Sequence, residues 1–397
     1  MNTFREIQLQ SDAIQSRSRA NSSDILTPTL TSSDSRMASK KNRPAAPEVA
    51  PPKNRSATSY DVALRAGVSQ SAVSRHFKPG ASVSPATRAR VIKAAKELEY
   101  IPNALARSLI TRRSNLVAVM ISNLTNLYYP EVLSELSQQF VSKGMRILLF
   151  TVPHESDIDQ TIAQVWQYQV DGVIAATRLS LEHVTEFERR GIPLVLYNRT
   201  LAEKGVNAVV CDQIEGARIL VSRLAAAGHK RFAIISGPTD SVVGQERTRG
   251  ARERVLELGL REPQVVMGHY DYHSGVSGLR ELMENRAHAP DAIICGNDIM
   301  AIGCVDAARH EFGIDVPRAL SVAGFDGVEP STWMSHNLTT LRQPVQKMAQ
   351  AAAEMLLSLI GNHASPPEKR VFSAQFIDGG TARLDGPAPV ATKREQK

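Results

Sequence analysis

Cysteine is scarce. Three occur in 397 residues, Cys211, Cys295 and Cys304, with no CxxC spacing among them. An odd, scattered set excludes a disulfide framework or a zinc ribbon and suits a reducing compartment. Long apolar runs are also missing: none approaches the ~18 residues that cross a bilayer. The opening MNTFREIQLQSDAIQSRSRA has no apolar core of a secretory signal. The expectation is a cytoplasmic protein without a membrane partner. Catalytic signatures are absent as well: no GxGxxG after the first apolar strand run, no GxxxxGKS/T, no HExxH and no GxSxG. His229 and His273 lie near helix ends without an evident Ser or Cys partner. No enzyme, cofactor or metal site is therefore expected.

What is present is unevenly distributed charge. The chain carries a net +7, yet Lys53 to Arg113 alone holds twelve basic residues against Asp61, Glu97 and Glu99, a net +9. The remainder sums to −2. A basic segment on a near-neutral body is the electrostatic footprint of a polyanion partner. Residues 1–54, rich in Ser, Thr, Pro and basic residues, read as a disordered tail. Met37 opens MASKKNRPAAPEVAPPKNRS and offers itself as an alternative start of translation.

Residues 55–101 read as three short helices. Thr58 precedes the first, with Asp61 three residues on, a capping-box arrangement. Val62, Ala63 and Ala66 follow at helical spacing, and Gly67 supplies the turn. Ser69 to Phe77 forms the second helix, with Val68, Ala72 and Val73 inward and Gln70, Ser71, Ser74 and Arg75 outward. Ser84 caps the third, Pro85 opens it, and Val91, Ile92, Ala95 and Leu98 make its apolar stripe. A helix pair joined by a Gly turn fits either an ordinary αα-hairpin or a helix-turn-helix, whose second helix enters the major groove. Gln and Ser can hydrogen-bond base edges, and Arg75 can bind guanine bidentately.

Past Asn115 the pattern alternates. Apolar runs at 116–121, 146–152, 171–177, 193–198, 231–237, 291–297 and 321–327 are separated by amphipathic stretches of helical length. That pattern specifies parallel sheets covered on both faces, and the number of units favours two lobes. Ligands of such folds lie at the carboxyl ends of strands. The loops after Asn198, Gly237, Asn297 and Asp326 are thus the places to look.

The stretch YIPNALARSL at 100–109, with DVALRAGVSQSAVSR before it and VPRALSVAGFDG and LTTLRQP downstream, resembles the LacI–GalR family of bacterial transcription regulators. The resemblance covers about residues 57–385. It implies a dimeric repressor on a palindromic operator in double-stranded DNA, controlled by a small-molecule effector, sugar-like or acidic. Gln70 and Ser71 fall at base-reading positions and Arg75 at the recognition-helix arginine; Thr58, Ser69, Ser74, His76 and Lys78 join the DNA-facing set. Residues 102–113 would be a hinge, with Asn103 and Ala106 on its helix and Leu109 as the minor-groove wedge. The sequence departs from many relatives at 76–80, where His76-Phe77-Lys78-Pro79-Gly80 replaces Val-Leu-Asn-Gly; His76 and Lys78 then suit phosphates better than bases.

In the same resemblance residues 114–385 form the effector and dimerisation domain. Lobe one takes about 114–211 plus 342–370, and lobe two about 212–341 plus 371–385; 386–397 form a tail. Arg247 takes the effector-clamping position, with Tyr128, Asn198, Tyr270, Asn297 and Asp326 around it. Tyr128, Tyr129 and Tyr270 are candidates to stack on a ring. Asn297 and Asp326 also suit turns or caps, and Asp298 reads as a helix N-cap. Asn198 stands where Asp is frequent, and Gly327 where a second Asp is. Those losses, with Arg247 retained, point toward an acidic or less hydroxylated effector. No heptads follow Ile377, so a dimer is expected rather than a tetramer. The competing reading is a solute-binding protein of a transport system.

Overall fold

The computed structural model describes residues 56–78, 81–102, 113–122, 124–152, 157–362 and 366–386. The chain divides into two compact units at Ile101/Pro102.

The first unit contains α1 (Ser59–Ala66), α2 (Gln70–His76) and α3 (Pro85–Glu97). Thr58 accepts the Asp61 N–H, and Asp61 accepts the Thr58 N–H at 2.8 Å, completing the capping box. Gly67 ends α1 at φ +60°, donating its N–H back to Ala63 and Leu64. A residue with a Cβ resists that left-handed geometry. Ser69 and Ser84 cap α2 and α3. Val62, Ala63, Ala66, Val73, Val91, Ala94 and Ala95 form the core, flanked by Val68, Phe77, Leu98 and Tyr100. Ile92, expected in the α3 stripe, is instead 51% exposed. The inward ladder runs 91, 94, 95, 98, the i, i+3, i+4, i+7 spacing of one helix face, and Ile92 falls beside it.

The second unit runs β1 (Leu116–Ser122), α4 (Tyr128–Ser142), β2 (Arg146–Val152), α5 (Ile158–Gln167), β3 (Gly172–Ala176), α6 (Leu181–Arg189), β4 (Leu194–Tyr197) and β5 (Ala208–Cys211). It continues with α7 (Gln213–Ala226), β6 (Phe232–Ser236), α8 (Val242–Glu257), β7 (Gln264–Met267), α9 (Tyr272–Met283), β8 (Ala292–Cys295), α10 (Asp298–His310) and β9 (Ser321–Ala323). Last come β10 (Thr340–Arg342), α11 (Val345–Gly361), β11 (Lys369–Phe372) and β12 (Gln375–Ile377). Lobe one is a parallel sheet in the order β11-β5-β4-β3-β1-β2, and lobe two a parallel sheet β7-β6-β8-β9. The fold is thus a small all-α headpiece followed by a two-lobed, doubly wound α/β body.

Strand side chains alternate between two covered faces, which is why these strands read as unbroken apolar runs. In β1, Val117, Val119 and Ile121 enter the core beneath α4 and α11, while Ala118 and Met120 enter the opposite one. In β6, Ala233 and Ile235 face α9 and α10, and Phe232 and Ile234 face α7 and α8. The chain crosses between lobes three times: from β5 to α7, from β10 to α11, and from β11 to β12. The pairing of β10 with β12 lays two of these crossings side by side.

Strands β5, β7, β10, β11 and β12 were not anticipated. They are three or four residues long, too brief to establish a period; β11 alternates with exposed positions and β7 is mostly exposed. The run 321–327 is strand only to Ala323. It then turns, with Asp326 at φ +112° and Gly327 at φ +70°.

Candidate functional site

On the headpiece, Ser71, Ser74, Arg75 and Lys78 are exposed, in agreement with an outward α2 face. Arg75 Nε donates to the Ser71 carbonyl at 3.3 Å, which keeps the guanidinium along its own helix. Gln70 is half-buried and donates to Ser59 Oγ at 3.2 Å, fixing the start of α2 against the start of α1. Ser69 and Thr58 have their side-chain oxygens engaged as caps. His76 is half-buried with its ring edge on Phe77, centroids 4.8 Å apart. Asn103, Ala106 and Leu109 lie outside the described residues. Sequence reading passed over Tyr60, 72% exposed on the first turn of α1 beside Ser59. Nothing in the periodicity of an eight-residue helix distinguishes such a side chain from an ordinary surface tyrosine.

In the body, a cavity of about 710 Å³ opens at the carboxyl ends of both sheets. Tyr128, Tyr129, Asn198 and Arg199 line it from lobe one; Ser241, Arg247, His269, Tyr270 and Asp326 line it from lobe two. Gln343, on the β10–α11 crossing, completes the floor. Most of these side chains follow a strand end; Arg247 stands in the second turn of α8 and Gln343 on the β10–α11 crossing. Three of them, Asn198, Tyr270 and Asp326, sit at positive φ (+52°, +62° and +112°). Backbone strain of this kind costs about 1–3 kcal/mol per residue and collects at functional sites.

Arg247 is the centre of the cavity and is 6% exposed. Its Nε donates to Gln213 Oε1 at 2.8 Å, Nη1 to the Gly296 carbonyl at 2.5 Å and Nη2 to Asp326 Oδ1 at 2.7 Å. The guanidinium also lies 3.7 Å over the Phe325 ring. Burial opposes its charge, but Asp326 overcomes that and holds the pKa above its ordinary value. Burial pushes the Asp326 pKa up in turn, against the pull of Arg247 and Gln343. The pair balances the Arg247 charge within the cavity. A guanidinium beside a carboxylate offers donor and acceptor side by side, the match for a hydroxyl that does both.

Gln343 joins the two lobes. Its Nε2 donates to Asp326 at 2.8 Å; its Oε1 accepts from Asn198 Nδ2 at 2.8 Å and from Tyr128 Oη at 3.4 Å. Asn198 also donates to Tyr128 Oη and accepts the Cys211 N–H. Neighbouring Arg342 donates to the Gly327 carbonyl and to Glu131 of α4, both at 2.7–2.8 Å. A Cβ on Gly327 would lie 2.5 Å from the Arg342 side chain, so no larger residue has room here.

Asn297 stands one layer behind the cavity. Its Oδ1 caps α10 at Met300, its Nδ2 holds the Tyr270 carbonyl at 3.1 Å, and 1% of it is exposed. The cap is therefore Asn297 and not Asp298. Asp298 is wholly buried, accepting from Val328 N and the Thr340 hydroxyl, and burial lifts its pKa to about 8. Gln213 and Gln343 were missed from sequence because they lie on the crossings between lobes; Arg199, next to Asn198, was within reach of the strand-end rule and was passed over.

His229 does have a serine partner: Ser321 Oγ is 3.1 Å from Nε2, with Asp291 3.6 Å from Nδ1. The serine is fully buried and also accepts the Arg383 N–H. It clasps the amino-terminal end of the lobe-two sheet, opposite to the cavity. Among the described residues no cluster of metal-ligating side chains occurs, and no helix is long and apolar enough to cross a membrane.

A family model described as bacterial regulatory proteins, lacI family, matches residues 58–103, and one described as a periplasmic binding protein-like domain matches 221–382. The HTH-type transcriptional regulator CelR of Thermobifida fusca is 31% identical over 326 residues, covering 80% of this chain and 95% of CelR. Catabolite control protein A of Priestia megaterium is 31% identical over 304 residues, 75% of this chain and 91% of the relative. Among solved structures, the lac repressor dimer bound to operator and the anti-inducer ONPF aligns with a TM-score of 0.75 at 26% identity, covering 82% of this chain and 99% of the repressor chain. A CelR–cellobiose complex aligns at 0.63 and 30% identity, covering 82% and 100%.

Proposed function

The chain belongs to the LacI family of bacterial regulatory proteins and is a DNA-binding transcriptional regulator; from that premise we propose that it is a cytoplasmic, dimeric repressor of a palindromic operator, controlled by a polyhydroxylated effector in the inter-lobe cavity. The observation that carries this reading is the Arg247–Asp326 pair, tied through Gln343 to the opposite lobe. An effector hydroxyl that engages the pair competes for the bonds linking the lobes. Binding in the cavity therefore changes how the lobes are held, which is the two-state element an effector needs. Residues 102–113 are the proposed hinge that passes this change to the headpiece. Gln70, Ser71, Ser74 and Arg75 are the proposed groove contacts, with Thr58, Ser69, His76, Lys78, Asn103, Ala106 and Leu109 supporting them on phosphates and in the minor groove.

The test is a gel shift of the full-length protein on the DNA flanking its gene, across a salt series and with candidate polyols. A retarded band that weakens with salt and responds to one polyol is expected. No band at low salt, with or without polyol, overturns the reading. A transport solute-binding role gives no use for a capped three-helix headpiece with an exposed polar helix.

A further inference from the structure

Helix α11 runs from the floor of the cavity to the amino-terminal edge of the lobe-one sheet. It begins at Val345, two positions after Gln343, and its last turn holds Leu359, Ile360 and Gly361. Its 17 residues, at 1.5 Å each, make a rod about 25 Å long. Met348, Ala352, Leu356 and Ile360 share one buried core with Val117 and Ile174 of the sheet. Near its end the helix lies directly on β3: a Cβ on Gly172 would stand 2.9 Å from Leu356 and 3.3 Å from Ile360. A helix packed this closely passes strain along its length, because its side chains have no voids to yield into.

At that edge the segment leading into β1 is tied down from two sides. The Asp171 carboxylate, next to Gly172, accepts the Ser114 N–H at 2.9 Å and its hydroxyl at 3.1 Å on Oδ1, and the Asn115 N–H at 2.9 Å on Oδ2. Asn115 stands at φ +56°, a left-handed backbone that such contacts hold in place. From the other side, Arg113 Nη2 donates to the Ile360 carbonyl at 3.3 Å. That carbonyl belongs to the last turn of α11, where carbonyls lack intrahelical donors and the helix dipole favours a cation. Arg113 closes the segment proposed above as the hinge, so α11 meets the cavity at one end and the linker at the other. An effector hydroxyl that takes Asp326 from Gln343 releases the residue from which α11 starts. Helix shifts in switching proteins are about 1–2 Å, enough to carry the 3.3 Å contact at Ile360 out of hydrogen-bond range.

We propose that α11 is the rod that carries the state of the cavity to the linker, with Asp171 and Arg113 as positioning residues that hold the linker's end against it. Neither residue lines the cavity. This rests on the effector reading given above and supplies its route. The test titrates the full-length protein on the DNA flanking its gene, with and without D-ribose, D-glucose, D-galactose and D-xylose, beside calorimetry of the same four sugars. For the sugar that changes the DNA affinity of the native protein, Asp171→Asn and Arg113→Gln should each shrink that change by about threefold or more, the coupling that a residue on such a route carries. Both should bind the sugar within about twofold of the native affinity, less than a lost hydrogen bond would change it. Arg113→Lys, which keeps a cation at the end of α11, should keep most of the response. Arg113 is exposed, so its substitution leaves the core intact even where Asp171→Asn fails to fold. An undiminished response in the folded variants, or a lost response matched by lost sugar affinity, overturns the rod and leaves the effector reading standing. Failure of all four sugars to change the DNA affinity of the native protein overturns both.

Discussion

Arg247 holds three protein partners and one aromatic face without reaching solvent, so its removal strands Asp326 in the interior. Breaking a buried pair from one side typically costs about 3–5 kcal/mol, whereas replacing both partners with apolar groups is often neutral. Arg247→Met should therefore lower stability by about that amount, and Arg247→Met with Asp326→Leu should recover most of it. Urea unfolding of the four proteins in the cycle measures this, and simple additivity would show that the two side chains act independently. Asp298 poses a different case. Its folded pKa of about 8 stands above the ordinary carboxylate value, so the fold binds the proton more tightly than the unfolded chain. Stability from this residue is complete at acid pH and is lost as pH rises toward and through 8. Asn cannot titrate. The melting temperature of Asp298→Asn should lie below that of the native protein near pH 5 and approach it by pH 8.5; a constant gap across the range would refute the assignment.

Two elements depend on local chemistry that the sequence states openly. The capping box of α1 joins Thr58 and Asp61, and loss of such a cap costs about 1 kcal/mol. Thr58→Ala should destabilise the headpiece by about that much, seen as earlier melting of its helical signal, while Thr58→Ser retains the cap and the native melting point. If Thr58→Ser melts as early as Thr58→Ala, the cap is not what Thr58 supplies. The turn after β9 depends on Gly327. At φ +70° with the Arg342 side chain against it, a Cβ is excluded twice. Gly327→Ala should cost at least about 1–2 kcal/mol from the left-handed backbone alone and displace Arg342 from Glu131. Stability equal to the native protein, measured by thermal melting, would contradict both arguments. Short strands mark where local reading ended: β7, β10 and β12 exist because neighbouring strands supply partners, and no stretch of three or four residues carries a period of its own.

For the molecule as a whole, the charge contrast between residues 53–113 and the rest predicts counterion release on DNA. Affinity for the flanking DNA should fall by about a thousandfold or more between 50 and 200 mM salt if six or more phosphates are contacted. A salt-independent affinity would be incompatible with that footprint. Much of this organisation is legible in the linear chain: the caps, the Gly67 turn, the alternation of apolar runs with amphipathic stretches, and Asn198 and Asp326 in the loops after strand runs; Arg247 came only from the family resemblance. These depend on neighbours within a few residues, where steric and hydrogen-bonding rules act directly. The contacts of the cavity do not. Arg247 with Asp326 and with Gln213, and Gln343 with Tyr128 and Asn198, join positions 34 to 215 residues apart. The same long-range closure balanced the Arg247 charge and moved Asn297 behind the wall. Sequence determined the helices, the longer strands and the turns, because those choices are local, but not the short strands β5, β7, β10, β11 and β12. Tertiary structure alone decided which charges meet, because three lobe crossings bring together groups that no spacing along the chain relates.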